Sequence, residues 1–128
     1  MNYAAAADVY RQNAVENAPP IKIVRLLYEG ALRFVAKAMT CDPNDPGSEF
    51  IEYASRAEAI VSELRLSLDH SLGDGVTENL EQLYLFCEGE FARALVERSV
   101  EPLDSVKRVL TTLLDGWKQV ETDTLRTG

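Results

Sequence analysis

A single histidine, His70, and two cysteines, Cys41 and Cys87, are all the imidazole and thiol that this 128-residue chain carries. A di-iron site in a helical bundle takes Glu-x-x-His from two helices, and one histidine cannot supply it. HExxH zinc chemistry falls for the same reason. The cysteines lack CxxC spacing and have no histidine near them. They read as reduced thiols, one near a helix end and one in the core. No Gly-x-Ser-x-Gly elbow presents a nucleophile. No glycine-rich loop cradles a phosphate, no segment alternates long enough for a strand, and no repeat of solenoid length occurs. The acidic residues are scattered and form no dyad for acid–base work. No enzyme activity, metal or cofactor is expected.

A basic excess is missing as well. Thirteen basic residues stand against twenty-one acidic ones, a net charge of −8. Nucleic acid and anionic membrane both repel such a surface, so neither is an expected partner. No apolar run reaches the ~20 residues that span a bilayer. The first residues lack a basic stretch followed by an apolar one, so no secretory signal is expected and the cytoplasm is the expected compartment.

What the chain does have is apolar side chains in helical register. Hydrophobic residues make up 46% and charged residues 27%, enough for one domain with a core of its own. The stretch Asn17 to Met39 organises the rest. Asn17 is a candidate N-cap, and Pro19 and Pro20 fall where a missing N–H costs little. Val24, Leu27, Ala31, Phe34 and Ala38 form one stripe, with Tyr28, Leu32, Val35 and Met39 in a second beside it. A helix apolar on more than one face is central to its fold. Cys41 to Gly47, with two prolines and a glycine, stops it.

A second helix is expected from about Ser48 to Leu72, with Phe50, Tyr53, Ala54, Ala57, Ile60, Val61, Leu64 and Leu68 inward. Gly73 is its expected stop. A third is expected from about Thr77, as cap, to Ser99, with Leu80, Leu83, Tyr84, Cys87, Phe91, Ala94 and Leu95 inward. A fourth begins near Ser99 to Pro102, with Pro102 in its first turn, and buries Leu103, Val106, Leu110, Leu113, Trp117 and Val120. Gly116 inside it costs about 1 kcal/mol relative to alanine. The pattern gives an all-α, antiparallel up-down four-helix bundle over residues 17–122. Residues 1–16 form an arm packed on it, and residues 123–128 a frayed tail.

Two outward stripes are surplus to that core. Leu85, Gly89, Ala92 and Val96 repeat along the third helix, and Ser55, Ala59, Ser62 and Leu66 along the second. Where the two adjoin, they make a shallow groove of small and aliphatic groups suited to a partner's amphipathic helix. The plainer alternative is scattered exposed apolar residues, which are normal. His70 raises a different alternative, a phosphotransfer bundle that accepts a phosphoryl group. It lies near a helix end beside Asp69 and Asp74, which would repel that group.

The order Tyr10-x-x-Asn13-x-Val15, then a proline-started helix carrying Leu26-Leu27-Tyr28-Glu29-Gly30-Ala31-Leu32, resembles the opening of the FliS family of flagellin export chaperones. Asn79-Leu80-x-x-Leu83-Tyr84 resembles its third-helix signature, and Trp117-Lys118-Gln119 its closing motif. The likeness covers nearly the whole chain. It departs at Ala18, where the family often has Ser or Thr. It departs again at Leu85-Phe86-Cys87-Glu88, where Glu88 with Glu90 makes the surface more acidic. The resemblance implies a non-enzymatic chaperone. Such a protein binds the disordered C-terminal segment of flagellin in the cytoplasm, prevents premature assembly and delivers it to the flagellar export apparatus. It also implies that the arm, through Tyr10, Asn13 and Val15, can cover the binding surface. A homodimer of the free chain and a different secreted client both stay open.

Overall fold

The computed structural model describes residues 20–72 and 75–127. Expectations that rest on Tyr10, Asn13, Val15, Asn17, Pro19 and Gly73 lie outside the described residues. The elements are α1 (Pro20–Met39), α2 (Phe50–Leu66), a 3-10 turn (His70–Leu72), α3 (Val76–Glu97) and α4 (Glu101–Thr127), with no strand among the described residues. Each helix packs on the next and α1 also packs on α4. That closed ring is an antiparallel up-down bundle.

α1 is one corner of the ring and not its centre, covered by α2 and α4 on two sides, and its innermost line lies between the two stripes read from the sequence. Ile21, Val24, Tyr28, Ala31, Val35 and Ala38 are buried, whereas Leu27, Leu32, Phe34 and Met39 are only partly buried. Successive steps of three and four residues from Ile21 place Tyr28 and Val35 on the bundle axis. Phe34 is turned toward α2, where its ring stacks on Tyr53 with centroids 6.2 Å apart. Lys37 lies 5.4 Å from the Tyr53 ring centre and covers that pair.

The connection between α1 and α2 is held by its own polar side chains. Asp42 Oδ1 accepts the Asn44 N–H at 2.9 Å, and Asp45 Oδ1 accepts the Gly47 N–H at 2.8 Å. These local bonds offer the backbone an alternative to helix.

α2 stops at Leu66, six residues before the expected end at Leu72. The reason is local. Leu68 N–H bonds back to Arg65 C=O at 3.2 Å, which tightens the last turn. Asp69 Oδ1 then accepts both the N–H of Ser71, at 3.0 Å, and its hydroxyl, at 2.6 Å. Leu68 is nonetheless buried, so its apolar side chain reaches the core from outside the helix.

Thr77 does not cap α3 as expected. The cap position is Gly75, at φ 84°, which the absence of a Cβ permits. Thr77 is buried in the first turn, and its hydroxyl donates to the Asp69 carbonyl at 3.2 Å. α3 ends at Arg98, which adopts a left-handed conformation (φ 54°) and returns its N–H to Ala94 C=O. α4 buries Leu103, Val106, Leu110, Leu113, Leu114, Trp117 and Val120. Gly116 is buried beside them. The helix runs on to Thr127, through most of the segment read from the sequence as a tail.

Candidate functional site

With the core complete, the residues to explain are the apolar ones left outside it. On α2 and α3 they are Ile51 at 50% exposure, Leu66 at 74%, Leu85 at 42%, Phe86 at 47% and Val96 at 82%. Ile51 and Phe86 lie outside the two stripes read from the sequence. Within the stripes, Ser55, Ala59, Gly89 and Ala92 are exposed beside Leu66, Leu85 and Val96, and Ser62 is half-buried. All eight stripe residues therefore avoid the core, as their spacing predicts. α2 and α3 are neighbours, so both stripes look outward on either side of one seam.

The seam fixes how the stripes align. Ser62 Oγ donates to Glu88 Oε1 at 2.6 Å. The helices are antiparallel, so one turn back on α2 faces one turn on along α3. Glu58 and Ala59 are thus level with Ala92, and Arg65 and Leu66 with Leu85. A Cβ added at Gly89 would meet nothing within 4 Å, so this middle part of the face is open.

The floor of the seam is polar, which the small-residue stripe does not reveal. Arg65 Nε donates to Glu88 Oε2 at 2.5 Å and Arg65 Nη2 to Glu88 Oε1 at 3.2 Å. Burial works against the Glu88 charge, but the hydrogen bonds from Arg65 and Ser62 outweigh it and hold the carboxyl below its usual range. Glu58 shows the opposite balance. Burial, and then the nearby Glu88 charge, push its carboxyl up. At the far end of the seam, His70 Nε2 lies 3.2 Å from Glu81 Oε2.

The sequence missed this network because Arg65 and Glu88 are 23 positions apart. Their opposite charges were legible, but their meeting depends on the register between two helices. His70 lies in the 3-10 turn just past the end of α2, and it faces a carboxylate. Cys41 is half-buried and Cys87 buried, both as free thiols. Among the described residues no cluster of three or more His, Cys, Asp or Glu side chains could hold a metal. No helix among them is long and apolar enough to cross a membrane.

Two further depressions flank α4. One, of about 430 Å³, is lined by Glu29, Leu32, Arg33, Ala36 and Leu114 between α1 and α4. The other, of about 280 Å³, is lined by Leu83, Arg108, Val109, Thr112 and Leu113 between α3 and α4. Both are open and shallow, and neither gathers groups that would do chemistry.

The family model described as "Flagellar protein FliS" matches residues 1–124. The chain belongs to the FliS family. A FliS relative from Campylobacter jejuni is 31% identical over 115 residues, covering 90% of this chain and 90% of the relative. FliS of Bacillus subtilis is 26% identical over 110 residues, with 86% and 81% covered. FliS of Escherichia coli is 25% identical over 116 residues, with 90% and 85% covered. All three are named flagellar secretion chaperones. A solved structure titled as a flagellar chaperone from bacteria superimposes with a TM-score of 0.75. It covers 94% of this chain and 98% of its own, at 24% identity. That likeness shows the helical-bundle fold, and the chaperone role is what the names of the relatives state of them.

Proposed function

We propose that this FliS-family protein is a secretion chaperone for flagellin. In this reading it binds the disordered C-terminal segment of flagellin in the cytoplasm, prevents premature polymerisation and helps deliver it to the export apparatus. The α2–α3 face is the proposed docking surface. The observation that carries this is the pair of outward stripes. Leu66, Leu85 and Val96 are exposed, Ala59 and Ala92 are small, and the core does not need them. A segment that folds on binding loses several kcal/mol to ordering and recovers it by burying apolar area. Small residues let a helix approach closely enough to do so. Tyr10, Asn13 and Val15 belong to the proposal as an arm that the client displaces.

Titration of a flagellin C-terminal peptide tests it. Ala59→Arg and Ala92→Arg each weaken binding while leaving the helical circular dichroism and melting profile intact. Unchanged affinity in both variants places the client elsewhere. Deleting residues 1–16 leaves the helical signal nearly intact; its collapse would make the arm structural.

A further inference from the structure

The α2–α3 face has a charge that the fold leaves uncompensated. Glu58 is half-buried, and the influences on it are burial and repulsion from Glu88. Among the described residues no cation pairs with it. The nearby Arg65 is engaged by both oxygens of Glu88. The wider surroundings share the sign. α3 carries Glu78, Glu81, Glu88, Glu90 and Glu97 against Arg93 alone, and Arg93 is paired within its own helix to Glu90 and Glu97. α1 has the opposite balance, with Lys22, Arg25, Arg33 and Lys37 against Glu29. The bundle is therefore polarised, with its negative side on the face that carries the exposed aliphatic stripes.

Space beside Glu58 is open. Ala59 follows it on α2, the register set by Ser62 and Glu88 puts Ala92 level with it on α3, and a Cβ at Gly89, one turn from Ala92, would touch nothing. A half-buried carboxylate beside small residues leaves room for a long side chain from outside. The aliphatic groups around it would cover that chain's methylenes while its charged head reached the carboxylate.

We infer that the α2–α3 face selects an amphipathic partner helix carrying a lysine or arginine on its apolar side, and that Glu58 receives that cation. This rests on the reading of the face as the client surface and adds the chemistry by which it recognises its client. The cation would relieve the repulsion between Glu58 and Glu88. A neutral apolar helix would bury Glu58 further with no compensation, so the same residue rejects it.

The probe is the flagellin C-terminal peptide, titrated into the full chain by calorimetry, with each of its lysines and arginines changed singly to glutamine. Glu58→Gln weakens binding about tenfold at low salt, and Glu58→Lys weakens it further. Added salt weakens binding to the wild type more than to Glu58→Gln. One cationic position of the peptide loses its effect in the Glu58→Gln background, and reversing it to glutamate restores binding to Glu58→Lys. Thermal melts separate this from a folding defect, because Glu58→Gln removes a repelled, desolvated charge and raises the melting temperature while it lowers affinity. If Ala92→Arg abolishes binding but both Glu58 variants bind as wild type, the face is right and the cation inference is overturned. If all variants on the face bind as wild type, the client surface itself is misplaced and the inference falls with it.

Discussion

The phenolic oxygens of Tyr28 and Tyr84 stand 2.6 Å apart at the centre of the bundle. They join α1 to α3, the helices on opposite corners of the ring. The indole of Trp117, from α4, packs against the Tyr28 ring, with centroids 6.3 Å apart. Three helices thus meet at one buried aromatic cluster, and its hydroxyl pair sets how two conservative changes combine.

Tyr28→Phe and Tyr84→Phe each break the same hydroxyl pair. Loss of a buried partner costs about 1–3 kcal/mol. Urea unfolding should show the double variant losing less than the sum of the two single changes. Strict additivity would mean that the two hydroxyls do not bond each other.

The two thiols should differ in access and in their pH dependence. Cys41 is half-buried near the surface, with its Sγ 3.3 Å from the Lys37 carbonyl. A water-soluble disulfide reagent should label it promptly and reach Cys87 only as the protein unfolds. Burial, and then the charges of Glu88 and Glu90, push the Cys87 thiol from 9.0 up to about 12. The unfolded thiol ionises first, so this contribution to stability is full below pH 9.0 and is lost as pH rises toward 12. Burial shifts Tyr28 in the same direction. Cys87→Ala should flatten that alkaline limb in unfolding measured against pH.

Glu88 and Glu58 should respond to acid in opposite ways. Glu88 is held below its ordinary 4.5, so its contribution is present above that pH and disappears as pH falls through the lowered value. Glu58 is raised, so its contribution is present below 4.5 and is lost as pH rises through the raised value. At pH 7, Glu88→Gln should cost about 1 kcal/mol, because the Arg65 pair is partly solvated. Glu58→Gln should stabilise. Denaturant midpoints at pH 7 and pH 4 check both signs, and a matched pair of effects would mean that the two carboxylates do not differ in environment.

Arg98 holds a left-handed backbone at the end of α3, with φ 54°. That conformation costs an L-residue roughly 1–2 kcal/mol, and glycine is largely spared it. Arg98→Gly should therefore gain about 1 kcal/mol and raise the melting temperature by a few degrees, with no gain for Arg98→Ala. No difference between the two variants would show that the side chain matters more than the backbone.

Much of this architecture was legible because helical burial writes itself as a period. Phe50, Ala54, Ala57, Val61 and Leu64 were recognisable as one face, and all are buried. The breaks at Cys41 to Gly47 and around Gly75 carry their own turn chemistry. The end of α2 was harder. Leu68 continues the apolar period and is buried, yet Asp69 and Ser71 bond each other and take the backbone out of the helix. A period reports which way a side chain points and not which hydrogen bonds its backbone makes. The outward stripes were legible for the same reason as the core, since an exposed face repeats at the same spacing.

By itself, the sequence determined the number and order of the helices, the apolar faces they bury and the family they belong to. Those follow from short-range spacing, which a chain carries wherever it goes. Only the tertiary structure decided that Tyr28, rather than Leu27, lies on the axis. It also decided that Arg65 meets Glu88 and that Glu58 is left facing it. Such pairings depend on how helices rotate and slide against one another as the whole core packs, and no spacing within a single helix contains that information.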